Sequence, residues 1–351
     1  MVIFDSHEIR YENTGIHHFI KNLVASLVKI SEHEDIEIAF FLRKKHVHLL
    51  PETGDRKAKL VLYRSLYKYV FPYWKFWRGV WHTPFQYPRL MPEKGNVLLT
   101  VHDLNFLYDT SGEEQARLRK IVQTNIDNAS ELTTISEYAK NDILNNMDTK
   151  GKKISVIYNG CQEYSGEILR PADVPDAPFL YAIGPTIPKK NFHVLPCLLK
   201  DNGLHLVISG IISQPYLDTI ISEAKQFGVE GKVHFTGTVS EPEKHWYLKN
   251  CTAFVFPSLA EGFGIPVIEA MYYGKPVFLS RHTSLPEIGK DKAFYFNEGF
   301  DREMMQAEFG DGMSRYLSGE VPADRIIAHA KSFSWDKAAE EYIRIYKSMM
   351  L

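Results

Sequence analysis

Two apolar patterns alternate along the chain. Short runs rich in Val, Ile and Phe are separated by longer segments whose apolar residues recur every three or four positions. The short runs are typical of strands buried on both faces and the longer segments of helices, so their alternation predicts parallel sheets covered by helices. A first series has predicted strands at Val2–Asp5, Ile36–Phe41, Lys59–Leu62, Asn96–Val101, Leu132–Ile135 and Ile154–Ile157, and helices at Gly15–Ser31, Glu113–Asn128 and Glu137–Asn146.

A second series of the same kind follows a proline-rich segment. Three prolines within Arg170–Pro178 disfavour both helix and sheet interior, so we predict a linker there. We expect an N-terminal α/β domain at 1–172, a C-terminal α/β domain at 173–332 and a final helical segment at 333–351. The second series has predicted strands at Phe179–Ile183, Leu204–Ser209, Val233–Phe235, Ala253–Phe256 and Pro276–Leu279, helices near Asn191–Lys200, Gln214–Phe227, Pro242–Asn250 and Pro266–Tyr273, and a last helix at Trp335–Met350.

The composition is that of an ordinary globular protein. Of 351 residues 44% are hydrophobic and 24% charged, and the formal net charge is -2, which argues against a surface devoted to nucleic acid. The three cysteines Cys161, Cys197 and Cys251 lack the spacing of a zinc site. The first residues lack a signal-peptide pattern and no apolar run is long enough to span a bilayer, so we expect a cytoplasmic protein.

The segment from Phe256 to Gly274 carries the strongest chemical signal. Open parallel sheets bind ligands beyond the carboxyl ends of their strands, and here a predicted strand is followed by a glycine-containing loop and a helix. Its glycines and the helix N-terminus offer backbone N–H groups to phosphate or sugar oxygens. The carboxylates of Glu261 and Glu269 can accept hydrogen bonds from hydroxyls. The alternative is an ordinary turn in which Glu269 only complements the helix dipole.

This segment resembles the signature of retaining glycosyltransferases of family 4. That signature has two glutamates separated by seven residues, with Gly-Phe-Gly after the first. The resemblance implies the GT-B fold, in which two Rossmann-like doubly wound domains face a cleft and a C-terminal helix crosses back to the N-terminal domain. Further matching fragments follow in order at Asn13–Ile16, Thr100–Leu104, Ile135–Lys140, Val156–Gly160, Pro188–Asn191, Phe235–Gly237, Ser284–Glu287 and Phe333–Trp335.

The resemblance implies roles for five residues of the motif. Glu261 would contact the transferred sugar as a catalytic residue, and Glu269 would bind the ribose of the nucleotide. The backbone of Gly262, Phe263 and Gly264 would hold the sugar hydroxyls and the diphosphate.

The resemblance also implies a basic pair for the diphosphate. Lys190 matches the family lysine, but Pro185 stands where the family has an arginine. Lys189, Arg281 or a basic residue of the N-terminal domain could replace that arginine. The alternative for Lys189 and Lys190 is a solvated charge pair at a helix start.

In the N-terminal domain the resemblance implies a catalytic histidine and two further residues that bind the donor. His102 and Asp103 follow a predicted strand, and the matching histidine in the family is catalytic and lies near the donor sugar. Gly15 would let the backbone approach the diphosphate. The alternatives are a structural histidine and an ordinary helix-start glycine. No Asp-x-Asp occurs, so we expect no metal and no cofactor, and a retaining reaction by front-face attack.

The stretch 56–92 has no counterpart in the family pattern. It holds eight basic residues and no acidic one, and nine aromatic residues lie within Tyr63–Trp81. Interleaved aromatic and basic residues are typical of a protein face that lies on anionic lipid, so we hypothesise that this stretch docks on the cytoplasmic membrane leaflet. The alternatives are a buried core helix and, less favoured, nucleic-acid binding.

The sequence therefore predicts a hexosyltransferase. We expect a nucleotide-sugar donor, with GDP-mannose as the first candidate and other GDP-, UDP- or dTDP-sugars behind it. The expected acceptor is a saccharide, linked to a polyprenyl diphosphate in bacterial O-antigen assembly. The alternatives are a sugar-nucleotide epimerase of the same two-domain fold and a non-catalytic nucleotide- or glycan-binding relative.

Overall fold

A computed structural model describes residues 1–11, 14–51, 58–63, 79–93 and 95–351, of which 58–63 are described by their backbone alone. The chain forms two compact units. The first comprises Met1–Gly160 together with Ser334–Leu351, and the second comprises Cys161–Phe333.

The first unit is built on a parallel sheet of seven strands. Their order is β3-β2-β1-β4-β5-β6-β7, the doubly wound arrangement that the sequence pattern predicts. The strands are β1 (Val2–Asp5), β2 (Ile38–Arg43), β3 (Ala58–Tyr63), β4 (Val80–Thr83), β5 (Asn96–Thr100), β6 (Glu131–Thr134) and β7 (Ile154–Val156), and the helices are α1 (Gly15–Ser31), α2 (Phe106–Asp109), α3 (Gly112–Asn128) and α4 (Glu137–Asn146).

Strand β4 corrects the sequence analysis. No strand is predicted at Val80–Thr83, because these residues lie inside the aromatic and basic stretch 56–92. Trp81 is buried beside Phe41, with ring centroids 5.2 Å apart, so this tryptophan belongs to the core and not to a lipid-facing surface. Residues 64–78, which hold seven of the nine aromatic residues of Tyr63–Trp81, lie outside the described residues.

The second unit repeats the architecture with six parallel strands. Their order is β10-β9-β8-β11-β12-β13. The strands are β8 (Phe179–Ile183), β9 (His205–Ser209), β10 (Val233–Gly237), β11 (Ala253–Phe256), β12 (Val277–Leu279) and β13 (Phe294–Tyr295), and the helices are α5 (Gln214–Gln226), α6 (Glu241–Asn250), α7 (Ile265–Tyr272), α8 (Leu285–Gly289), α9 (Arg302–Leu317) and α10 (Ala323–Ala330).

Two local predictions in the second unit differ from the structure. The helix predicted at Asn191–Lys200 is instead the 3₁₀ segment Phe192–Leu199, because Pro196 has no N–H for an α-helical bond. A short 3₁₀ turn, Pro188–Lys190, precedes it. The predicted linker lies against the second unit, where the Arg170 guanidinium stands 5.8 Å from the ring centroid of Trp246. The chain leaves the first unit before this segment, between Gly160 and Cys161.

The last helix, α11 (Trp335–Met350), belongs to the first unit and packs along α1. The Asp336 carboxylate anchors it, accepting hydrogen bonds from Ser26 Oγ at 2.7 Å and Lys29 Nζ at 2.5 Å. Gly160 makes the approach of Trp335 feasible, since a Cβ there would lie 2.1 Å from the Trp335 nitrogen. No helix among the described residues combines the length and the apolar character needed to cross a bilayer.

Candidate functional site

The loop after β11 is fixed by hydrogen bonds from its neighbours. The Leu259 N–H donates to the carbonyl oxygen of Lys189 at 2.8 Å, which ties this loop to the loop after β8. The Ser284 hydroxyl donates to the carbonyl oxygens of Glu261 at 3.0 Å and Phe263 at 3.1 Å. The loop that carries the first glutamate of the motif is therefore held in one shape.

The loop ends in a turn that requires glycine. Gly264 caps α7 with a φ of 105°, in the left-handed region, and a Cβ there would stand 3.0 Å from Leu285 Cδ2. The side chain of Phe263 is buried with its ring centroid 5.8 Å from that of Phe333, so only its backbone remains for a ligand. The first N–H groups of α7 follow directly, which is the geometry of an anion or hydroxyl cradle.

Lys190 and Glu261 form an ion pair at the carboxyl edge of the second sheet. Their Nζ and Oε1 atoms are 2.5 Å apart, and the side chains are only 12% and 15% exposed. The ammonium also lies 4.9 Å from the ring centroid of Phe256. The proposed phosphate-binding lysine and the proposed sugar-binding glutamate thus converge, although the sequence gives no local sign that they touch.

Glu269 lies in a second ion-pair cluster in the same unit. Lys244 Nζ is 2.8 Å from Glu269 Oε1 and 2.9 Å from Glu241 Oε2. His245 Nε2 stands 3.7 Å from the same Glu241 oxygen. The neighbouring His245 ring and the charge of Lys244 lower the pKa of Glu241 to about 2, although burial acts in the opposite direction. Glu241 is therefore ionised at neutral pH.

This cluster also contains three residues, two glutamates and a histidine, of types that bind metals. One ligand atom each from Glu241, His245 and Glu269 lies within 4.8 Å of the others. The Lys244 ammonium already bridges both carboxylates, so a metal ion would have to displace a cation of fixed position. The arrangement is therefore an ion-pair network with lysine as its cation.

A cavity of about 210 Å³ lies beside Glu269. Tyr164 covers it, stacked on His245 at 3.9 Å between ring centroids, and Tyr272 and Tyr273 form part of its wall. His245 Nδ1 and the Tyr273 hydroxyl are 3.0 Å apart. An aromatic wall with the carboxylates of Glu163 and Glu269 suits a ring that carries hydroxyl groups.

His102 occupies the carboxyl end of β5 in the first unit. Its Nε2 donates to the carbonyl oxygen of Pro84 at 2.8 Å, and its ring meets the ring of Phe19 edge to face at 4.6 Å. A carbonyl can only accept, so the proton lies on Nε2 and Nδ1 holds a lone pair. Burial lowers the pKa of His102 to about 4, and the imidazole is neutral at neutral pH. It can therefore accept a hydrogen bond from a sugar hydroxyl at Nδ1.

The two other predicted site residues of the first unit are Asp103, which is hydrogen-bonded within its own turn, and Gly15, which has open space around it. Asp103 Oδ1 accepts a hydrogen bond from the Asn105 N–H at 3.0 Å, so this carboxylate shapes its own turn. Gly15 is the first residue of α1, and a Cβ built there would meet nothing within 4 Å. The neighbouring Asn13 of the family fragment lies outside the described residues.

A proline stands at the place of the family arginine. Pro185 lies in the loop after β8, and the Arg281 guanidinium stands 5.3 Å from the ring centroid of Tyr295. The roles of Lys189 and Arg281 toward a diphosphate stay predictions. Sequence reasoning did not select Lys244, because its contact with Glu269 depends on how α6 packs beside α7 and no local motif marks it.

Comparison with known proteins identifies the class. Residues 170–333 match the family described as Glycosyl transferases group 1. These residues are a group 1 glycosyltransferase domain. The protein is accordingly an enzyme of the glycosyltransferase class, and all the residues that the motif selects in the second unit lie inside the matched region.

Relatives and solved structures extend the similarity over the chain. The Escherichia coli protein named O-antigen chain mannosyltransferase B is 24% identical over 389 aligned positions, covering 99% of each protein. Sucrose-phosphate synthase from Thermosynechococcus elongatus matches with a TM-score of 0.72 at 15% identity, covering 99% of this chain and 98% of that one. The Anabaena protein HepE, solved in complex with UDP and glucose, matches with a TM-score of 0.66 at 14% identity over 99% of both chains. The predicted GT-B fold and the kinship with O-antigen mannosyltransferases are confirmed.

Proposed function

We propose that this glycosyltransferase moves a hexose from a nucleoside diphosphate sugar to a saccharide acceptor with retention of configuration and without a metal ion. The observation that supports this proposal most directly is the ion pair of Lys190 and Glu261, whose charged atoms are 2.5 Å apart beside the N-terminus of α7. It brings an ammonium, a carboxylate and backbone N–H groups to one edge of the sheet. We assign donor binding to residues 173–332 and acceptor binding to residues 1–172.

The reaction needs stabilisation of a leaving diphosphate. When the bond between C1 and the phosphate oxygen breaks, negative charge develops on the nucleoside diphosphate. Lys190 and the backbone N–H groups of Gly262, Phe263 and Gly264 would face that charge. The acceptor oxygen attacks C1 on the same face, and its proton passes to a phosphate oxygen of the leaving group, so the step balances without a protein base.

The other predicted residues would orient the sugars. Glu261 would accept hydrogen bonds from hydroxyls of the transferred hexose, and His102 would accept one at Nδ1. Glu269 would bind the ribose hydroxyls. Gly15 and Asp103 would also bind the donor, Gly15 through the approach of its backbone to the diphosphate.

The donor is proposed from two relatives. The name of the Escherichia coli relative points to mannose, and GDP-mannose is our first candidate. HepE was solved with UDP and glucose, which keeps a UDP-sugar as the second candidate. Calorimetric titration of GDP, UDP, dTDP and their sugars tests this: selective binding of one base defines the donor class, and no binding of any would refute a donor site.

The acceptor is proposed to be a polyprenyl-diphosphate-linked saccharide of O-antigen assembly, met at the cytoplasmic face of the membrane. Support comes from the relative named for the O-antigen chain and from the eight basic residues of 56–92. Co-sedimentation with anionic vesicles tests the docking. We expect binding that is lost when Lys68, Lys75 and Arg78 are changed to Glu, and equal binding of both proteins would contradict it.

Turnover assays separate the alternatives. A transferase consumes donor in proportion to a supplied saccharide acceptor. An epimerase would convert the donor sugar with no acceptor, and a binding protein would do neither. Loss of turnover in His102→Ala together with unchanged nucleotide binding would assign the histidine to the chemistry.

A further inference from the structure

Lys244 is a buried cation shared between two carboxylates. Its side chain is 12% exposed, and its Nζ contacts Glu269 Oε1 at 2.8 Å and Glu241 Oε2 at 2.9 Å. Burial alone would lower the pKa of Lys244, but the charges of Glu269 and Glu241 outweigh it, so the pKa is raised. The side chain is therefore charged at neutral pH and holds one oxygen of Glu269.

The surroundings of Lys244 fix its position. Ser240 and Glu243 form a capping box at the start of α6, which fixes the turn that carries the lysine. His245 Nε2 stands 3.7 Å from Glu241, and the His245 ring is stacked on Tyr164 with 8° between the planes. Lys244 thus contacts a carboxylate on each side, and the contact with Glu269 is the more buried of the two.

We propose that Lys244 orients the Glu269 carboxylate and thereby sets the enzyme's requirement for ribose hydroxyls on its donor. This inference rests on the proposed function, because it assigns Glu269 to the ribose. A carboxylate has two oxygens that accept from several directions, and occupation of Oε1 by the ammonium leaves Oε2 for a hydroxyl donor. Lys244 is a positioning residue that acts through Glu269.

Donor binding would require a rearrangement of Lys190 but not of Lys244. Lys190 contacts the single carboxylate of Glu261 and must turn toward the diphosphate to serve it. Lys244 bridges Glu241 and Glu269 and can keep both contacts while Glu269 accepts from the ribose. We therefore expect the Lys190–Glu261 ion pair to open when the donor binds, and the contacts of Lys244 to persist.

The test compares nucleotides that differ by one hydroxyl. Calorimetry measures the Kd of GDP, 2′-deoxy-GDP and 3′-deoxy-GDP, or the UDP series if uridine nucleotides bind more tightly. In the wild type we expect loss of the contacted hydroxyl to weaken binding about 10- to 100-fold, the range of a hydrogen bond to a charged group. In Lys244→Met we expect GDP to weaken by a similar factor and the deoxy form hardly at all, so that their ratio approaches one. Lys244→Arg should restore part of the ratio.

Matched variants separate positioning from folding. Lys225→Met removes an exposed lysine of α5, which does not line the cavity beside Glu269, and should leave all three Kd values unchanged. Lys244→Gln keeps hydrogen bonding without charge and serves if the methionine variant unfolds at assay temperature. Glu269→Gln alone should bring the ratio of the deoxy and ribo Kd values close to one. Adding Lys244→Met to it should weaken GDP binding no further.

Several outcomes would overturn the inference. An unchanged ratio of the deoxy and ribo Kd values in Lys244→Met and Lys244→Gln would do so. An equal loss of affinity for ribo and deoxy nucleotides that varies with the base would also do so, because it would make the lysine a base contact. A wild type that does not distinguish the hydroxyls would also refute it. A wild type that binds no nucleotide would instead refute the proposed function.

Discussion

The side chains of Lys190 and Glu261 meet at 2.5 Å although they are 71 positions apart in the chain. Lys190 follows β8 and Glu261 follows β11, and these strands are neighbours in the sheet, paired in parallel. Parallel neighbours end at the same edge, so the strand order itself brings the ammonium and the carboxylate together. Each is largely removed from water and neutralised by the other, and a ligand phosphate must compete with Glu261 for Lys190.

Glu261→Gln tests the proposed catalytic role of Glu261. The amide keeps the size of the side chain but removes its charge and its competition for Lys190. We expect kcat to fall about 100-fold or more, the scale of losing one group that acts on the transition state, while the Kd of the nucleoside diphosphate is unchanged or tighter. Steady-state kinetics and calorimetry check this.

Glu303→Gln is the control for that variant, since Glu303 is an exposed glutamate of α9. It should leave both quantities unchanged. A Glu261→Gln enzyme with weaker nucleotide binding and undiminished kcat would contradict the assigned role.

Lys190→Met tests the second partner. Removing the ammonium should weaken binding of the nucleoside diphosphate about 10- to 100-fold, as for a charge-assisted hydrogen bond, while the nucleoside without phosphates binds as before. The measured quantity is the ratio of the two affinities. Lys200→Met, at an exposed position after the 3₁₀ segment, should leave that ratio at its wild-type value. An unaltered ratio in Lys190→Met would show that another group holds the diphosphate.

The sequence pattern was sufficient for most of the fold because buried strands and amphipathic helices differ in period. It failed at β4, where Val80–Thr83 is short and continues an aromatic stretch without a break in composition. It failed again at Phe192–Leu199, where the apolar residues have helical spacing but Pro196 prevents the α-helical hydrogen bond. At β4 the local pattern is ambiguous and pairing with β1 and β5 decides the conformation, whereas at Phe192–Leu199 the local residue Pro196 decides it.

The candidate site was predictable only as far as local motifs reach. Glu261 and Glu269 are marked by the glycine loop and helix start that carry them. Lys244 could not be found in this way, because its distance to Glu269 is set by the packing of α6 beside α7. The tautomer of His102 was likewise invisible, since it depends on the carbonyl of Pro84.

Gly15→Ala tests the predicted approach of the backbone to the diphosphate. A Cβ there meets nothing within 4 Å, so the fold should tolerate it and the free energy of unfolding should not fall. We nevertheless expect a raised KM for the donor, because the methyl group would occupy space at the N-terminus of α1. Gly310→Ala in α9, which is equally uncrowded, is the control and should leave KM unchanged. If the alanine at position 15 alters neither KM nor kcat, Gly15 is an ordinary helix-start residue.

The buried His82 makes the stability of the first unit depend on pH. Its ring lies between the Tyr346 hydroxyl at 2.6 Å and Thr100 Oγ1 at 2.8 Å, and burial, followed by the charge of His102, lowers its pKa to about 3. In the unfolded chain a histidine takes its proton near pH 6.5, whereas the folded chain resists until about pH 3. The contribution of His82 to stability is therefore complete above pH 6.5 and is lost as the pH falls toward 3.

His82→Gln isolates this contribution, because glutamine keeps polar contacts but does not titrate. Urea unfolding at pH 7, 6 and 5 should show the wild-type free energy of unfolding falling more steeply than that of the variant, by at most about 1.4 kcal/mol per pH unit. The slope, and not the absolute stability, is the test, since the substitution also changes packing. His33→Gln removes an exposed histidine of the same unit and should reproduce the wild-type slope. Equal slopes for His82→Gln and the wild type would mean that His82 titrates alike in the folded and unfolded chains.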